Sequence, residues 1–180
     1  MARESTVHQR RFLRGFGKQL VAEAKKNLKG RGTGTLAGSL KAKGVYKTKT
    51  LSLTLVGAKH NEFINQGVSG RFKTQTYKDE KGNKKNSSFK FKKEVVNLGA
   101  MRKFISRNNI KARDELGRYI STKALSYLIG RSIASKGIKS SSHISKAWLK
   151  LRKTYIKGLK KALAKDIEAD IKRQQKNNTK

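Results

Sequence analysis

The chain is 180 residues long, with 45 Lys and Arg against 11 Asp and Glu, a formal net charge of +34 and an isoelectric point near 10.8. It has no cysteine, which excludes disulfides, thiolate zinc sites and cysteine nucleophiles. No apolar run approaches the roughly 20 residues of a membrane span, and the basic N-terminus lacks the apolar stretch of a signal peptide, so synthesis in the cytoplasm is expected. Residues 1–44, 45–98, 99–147 and 148–180 carry +9, +8, +9 and +8, whereas a basic tail on a neutral body would concentrate its charge in one block. Each like pair about 10 Å apart in water costs about 0.4 kcal/mol before salt screening. Over many pairs that strain opposes a compact lone monomer. The composition therefore points to a chain that works against a polyanion or among acidic neighbours.

Apolar periodicity predicts a first helix from about Thr6 to Leu28, with Val7, Phe12, Leu13, Phe16, Leu20, Val21, Ala24 and Leu28 on one face. Ser5 or Thr6 is expected to cap it, Lys25, Lys26 and Lys29 suit its negative end, and Gly30 stops it. Arg31–Gly34 reads as a turn, and Thr35 opens a short helix with Leu36 and Leu40 as core anchors beneath the following strand. A β region follows. Val45–Lys47 and Leu51–Val56 are expected to pair antiparallel, Leu51, Leu53 and Leu55 pointing one way and Ser52 and Thr54 the other. The segment Asn61–Gln66 places Phe63 and Ile64 beside polar groups, and Gly67 and Gly70 break it. Phe72–Tyr77 and Phe89–Lys93 are expected to pair as a long hairpin around a mobile, polar connection, Lys78–Ser88.

From Ala100 the pattern changes. Met101, Phe104 and Ile105 predict a short helical turn, and Ile110–Arg113 and Arg118–Ile120 look extended around an Asp114–Gly117 turn. Ser121 or Thr122 caps a helix to Lys136 whose apolar face is Leu125, Leu128, Ile129 and Ile133, and Gly137 ends it. A long last helix, from about Ile144 to Gln174, carries a stripe of Trp148, Leu151, Tyr155, Ile156, Leu159, Leu163, Ile167 and Ile171. It outreaches a compact domain of this size, so part of it is expected to lie against a partner. The fold class is α+β: an antiparallel sheet with a long N-terminal helix, a central helix and a long C-terminal helix.

Chemistry is sparse. Gly32-Thr33-Gly34-Thr35-Leu36-Ala37 fits a loose dinucleotide-loop pattern, but that motif must follow a strand, and here it follows a helix. His60-Asn61-Glu62 matches half of a zinc-deaminase motif whose cysteines are missing. His8, His60 and His143 have no metal-ligand spacing, and Asp166, Glu168 and Asp170 read as solvated counter-charges. No catalytic, cofactor or metal residue is assigned, and no enzyme is expected. Basic groups on every element suit phosphate neutralisation without sequence preference. Aromatic and basic residues alternate at Phe72-Lys73, Tyr77-Lys78 and Phe89–Lys93, a pattern shared by base-stacking surfaces and half-buried strands.

Several blocks, in order, resemble one family. GTGTLAGSL at Gly32–Leu40 is similar to the "TGxLxxSI" turn of bacteriophage neck and tail-completion proteins. LSLTLVGAKHNEFINQGVSG at Leu51–Gly70 resembles their strand and aromatic segment ending in glycine. Ile64–Gly70, Phe89–Lys92, Asp114–Ile120 and Gly130–Lys139 resemble the "VNKGVSG", "FSYK", "DxxGRFI" and "ARSIxxKGIK" blocks in phages of Bacteroidetes, crAss-like phages included. The likeness spans Ser5–Trp148. It departs at Ser141–Ile144, where relatives carry bulky aromatics, and in the absence of proline. The resemblance implies an α+β subunit copied around a symmetric ring. Residues 1–147 would form a tail-completion-like domain with a flexible insert near 78–88, and 148–180 a C-terminal helical extension. The expected function is that of a structural virion protein, a ring-forming connector or tail-completion subunit in the phage neck or tail. Its expected partners are copies of itself, portal, neck or tail proteins, and the packaged double-stranded DNA, with no membrane. The alternative is a non-sequence-specific nucleic-acid-binding or packaging protein.

Overall fold

Residues 6–28, 35–46 and 51–178 are described by the computed structural model. The turns expected at Arg31–Gly34 and Lys47–Thr50, the Gly30 stop and the Ser5 cap lie outside these residues. The chain divides into two compact units, Met1–Asn61 with His143–Lys180, and Glu62–Ser142. The second interrupts the first in sequence. The boundary expected at 147/148 does not coincide with this division, because the C-terminal helix packs on the N-terminal one instead of extending from a finished domain.

In the first unit, α1 (Val7–Asn27) buries Leu13, Phe16, Gly17, Leu20 and Ala24 at helical spacing. Thr6 precedes it without a side-chain capping bond, and Lys25 and Lys26 occupy its last turn. The short α2 (Thr35–Ser39) follows, and Leu36 and Leu40 are buried as anchors. Ser39 Oγ donates to Leu36 O at 2.8 Å and accepts from Ala58 N at 3.0 Å, which ties this helix to the end of the sheet. Strands β1 (Lys41–Tyr46) and β2 (Leu51–Val56) pair antiparallel from Lys41↔Val56 to Tyr46↔Leu51. The strand expected at Val45–Lys47 thus begins four residues earlier. Its inner positions, Ala42 and Gly44, are small because α1 comes close. A Cβ on Gly17 would sit 2.9 Å from Ala42 Cβ and 3.1 Å from Leu53 Cδ1. Small residues carry little of the hydrophobic alternation that marks a strand. Along β2, half-buried Leu51, Leu53 and Leu55 alternate with exposed Ser52, Thr54 and Val56 as expected. Helix α6 (His143–Asn178) completes the unit with 36 residues, about 54 Å at 1.5 Å per residue.

The second unit begins within a six-residue helix, α3 (Asn61–Gln66). Gln66 Nε2 donates to Glu62 Oε1 across one turn, and Gly67 at φ +77° ends the helix. Too short for a period to show, α3 is held from outside: Ser141 N and Oγ both donate to Ile64 O, and Ser142 N to Asn65 O. Two serines therefore hold the last turn of α3. Strand β3 (Val68–Ser69) pairs antiparallel with β6 (Gly137–Ile138). Ser69 N donates to Phe89 O, and Phe91 N donates to Ser69 O. This contact takes the Phe89–Lys93 segment out of the expected long hairpin. The real hairpin lies inside the polar insert, with β4 (Thr76–Lys78) paired to β5 (Lys84–Asn86). Asp79 Oδ1 accepts from Lys81 N and Asn83 N, both at 2.9 Å, and Gly82 supplies a left-handed φ of +93°. An acceptor and a glycine at the right offsets close a turn without apolar help. Helix α4 (Leu98–Arg107) is capped by Asn97, longer than the turn expected there. The Arg113↔Tyr119 bridge closes around the expected Asp114–Gly117 turn. Helix α5 (Thr122–Lys136) is capped by Ser121 and ended by Gly137, both as expected. The fold class is α+β, with long N- and C-terminal helices and a central helix. Among the described residues the sheet is three separate antiparallel pairs.

Candidate interaction surface on the α1–α6 pair

The seam between α1 and α6 is built from aromatic rings and small residues. Phe16 lies 4.9 Å from Tyr155 and 6.3 Å from Trp148 between ring centroids, and Phe12 lies 6.0 Å from Phe16 and from Tyr155. The Phe12 ring sits where a Cβ of Gly158 would be. Ala147 and Ala162 are buried on α6. Helices approach closely where one of them lacks side-chain bulk, and a large ring from the other then fills the space.

Two polar contacts fix the register of the pair. Asp166, 2% exposed, accepts from His8 N at 2.9 Å and Gln9 N at 3.0 Å. Its carboxylate answers two of the four amides that any helix start leaves open, and its charge faces the positive end of the α1 dipole. Instead of a solvated counter-charge, Asp166 is the cap of α1. Near the other end, Lys150 Nζ donates to Glu23 Oε1 at 2.8 Å. That hydrogen bond, aided by the charges of Lys150 and Lys26, holds the Glu23 carboxyl below its ordinary value near 4.5 against some opposing desolvation. Buried His143 bonds through Nε2 to Asn61 Oδ1 at 2.9 Å, and its carbonyl accepts from Asn27 Nδ2.

Geometry splits the stripe expected on α6. Trp148, Leu151, Tyr155 and Leu159 are half-buried. Ile156, Leu163, Ile167 and Ile171 remain 46%, 45%, 51% and 50% exposed. The buried line runs instead through Ala147, Ala162 and Asp166, because only small residues and the capping carboxylate fit at the close approach. At 100° per residue, positions 156, 163, 167 and 171 fall on one side of the helix, turned away from that line. Asp166 meets the first turn of α1, so Ile167–Asn178 continues about 18 Å past that contact. None of residues 167–178 is buried.

Basic grooves flank the pair. One of about 710 Å³ lies between α1 and β1, with Arg14, Lys18, Lys25, Lys41 and Lys43 around Gly17 and Leu53. The described residues hold no cluster of three His, Cys, Asp or Glu that could ligate a metal. None of the described helices is long and apolar enough to cross a membrane. No family model matches the chain, and no curated protein or solved structure matches it either.

Proposed function

We propose that the chain is a structural virion protein, a ring-forming connector or tail-completion subunit of a phage neck or tail. The resemblance of its ordered sequence blocks supplies the family. The observation that carries the reading is the apolar stripe Ile156, Leu163, Ile167 and Ile171, half-exposed on a helix that runs beyond its own partner. A contiguous apolar face rimmed by polar residues marks a surface made for contact. Fully burying such a side chain is worth about 1.5–3 kcal/mol, and these four are about half-buried already, so covering them yields about 3–6 kcal/mol.

Association costs an estimated 4–15 kcal/mol in lost freedom alone, and two copies at +34 each also repel. The stripe is therefore insufficient by itself, and assembly needs the charge to be screened or matched by acidic neighbours. Closed rotational symmetry then leaves no open-ended contact. The test is particle mass by sedimentation and symmetry by negative-stain microscopy, with rising salt and with an acidic polypeptide added. Rings are expected under one of these conditions, and the Leu163→Ser, Ile167→Ser double variant should stay monomeric while melting as the parent does. A parent that remains monomeric throughout removes the reading.

A further inference from the structure

On the other flank of the α1–α6 seam, Lys153, Lys157, Lys161 and Lys165 stand at every fourth position of α6. With Arg11 and His8 of α1 opposite, they wall a groove of about 810 Å³ whose floor includes Phe12. All four lysines and Arg11 are exposed, and no acidic residue lines the groove. Among the described residues, none of these five makes an ion pair. The nearest carboxylate in the sequence, Asp166, is turned to the His8 and Gln9 amides.

Like charges four residues apart on a helix repel. Three successive repulsions in one line give the fold nothing, whereas the Lys150–Glu23 pair on the same helix shows that α6 takes acidic partners where they serve packing. The steps of the ladder are about 6 Å apart, a spacing close to that of successive phosphates along an extended strand. The groove is open at the surface and about 18 Å long over the four lysines. A row of cations beside a partly apolar floor suits a backbone whose phosphates lie on one side and whose sugars or bases lie on the other.

We infer that this groove binds the phosphodiester backbone of one nucleic-acid strand, about four phosphates long, without reading its sequence. The inference goes beyond the connector reading and stands apart from it: ring formation is judged by particle mass, groove occupancy by strand affinity.

The experiment measures fluorescence anisotropy of the full chain with a labelled 20-nucleotide oligothymidylate and with a 20-base-pair duplex, across a salt series. One variant changes Lys153, Lys157, Lys161 and Lys165 to Gln. A control changes Lys84, Lys103, Lys111 and Lys123, exposed lysines of the other unit, and so removes the same charge. Four lost phosphate contacts should flatten the log–log salt slope by about 3 on the single strand and weaken binding about tenfold or more. The control should change the slope by less than one, and four Lys→Arg changes at the ladder should retain affinity. The arm that shows the ladder-specific loss names the source, a free strand or the backbone of a duplex. Equal losses in ladder and control variants on both ligands overturn the inference, since charge alone then explains binding. So does polyglutamate that binds with the same ladder dependence, because the groove would then take an acidic polypeptide. If the fourfold Gln variant unfolds, Lys157→Gln, Lys161→Gln against Lys103→Gln, Lys111→Gln decides by the same criterion.

Discussion

Asp166 does for α1 what Thr6 does not. Its two oxygens hold the His8 and Gln9 amides, so the start of one helix depends on a side chain 158 residues further along. Capping interactions of this kind are worth about 0.5–2 kcal/mol. The Asp166→Ala change also leaves two amides of α1 without a protein partner, so a loss of about 2 kcal/mol in urea unfolding is expected. Asp166→Asn keeps one acceptor and should lose less. Gly158 and Gly15 make a second, paired test. Ala gains about 1 kcal/mol over Gly in a helix interior, and around Gly15 nothing lies within 4 Å, so Gly15→Ala should raise the melting temperature. At Gly158 the added carbon meets the Phe12 ring, itself packed against Phe16 and Tyr155. Overpacking costs about 1–3 kcal/mol, enough to cancel or exceed the helical gain, so Gly158→Ala should lower it. Neither role was legible in the sequence. Asp166 alternates with Glu168 and Asp170, which looks like a solvated edge, and its partners are backbone amides that carry no residue signature.

Helices whose apolar period runs for several turns were legible, with their caps at Ser121 and Gly137, because each rests on neighbours within one element. Helix α3 was not, since six residues are too few to separate a period of 3.6 from one of 2. The apolar stripe of α6 was seen, but its division into buried and exposed halves depends on the close approach to α1, which no single element encodes. The hairpin of the polar insert was misplaced for a related reason. Aromatics at Phe72, Tyr77, Phe89 and Phe91 drew the pairing outward, while the turn was set by Asp79 and Gly82. That carboxylate gives a pH test. Partial desolvation raises the Asp79 pKa, but the amides of Asn83 and Lys81, with Lys85, outweigh it and hold the value below the ordinary 3.8. A depressed folded value means that the stabilisation is full above the ordinary Asp range and is lost as the pH falls through the lowered value. The protection factors of the Lys81 and Asn83 amides, taken against intrinsic exchange at each pH, should accordingly fall in acid, and the Asp79→Asn variant should show a smaller fall.

Across the whole molecule, charge and connectivity set the behaviour. At +34 without a clustered tail, self-repulsion acts on every element. Screening shortens from about 30 Å at 0.01 M salt to about 8 Å at 0.15 M, so the melting temperature of the isolated chain should rise over that range. A flat or falling trend would mean that the few ion pairs, such as Lys150–Glu23, outweigh the repulsion. Connectivity acts on a different clock. The first unit is completed by residues on both sides of Glu62–Ser142, so α1 leaves the ribosome long before Asp166 exists. At about 5–20 residues per second, the interval is on the order of ten seconds. Throughout it, the aromatic side of α1 that meets α6, Phe12 and Phe16, and its open amides have no native partner, while the second unit is contiguous and already available to fold. A nascent chain therefore acquires its middle before its ends, and its first helix is the segment a chaperone, or another nascent copy, would meet unprotected.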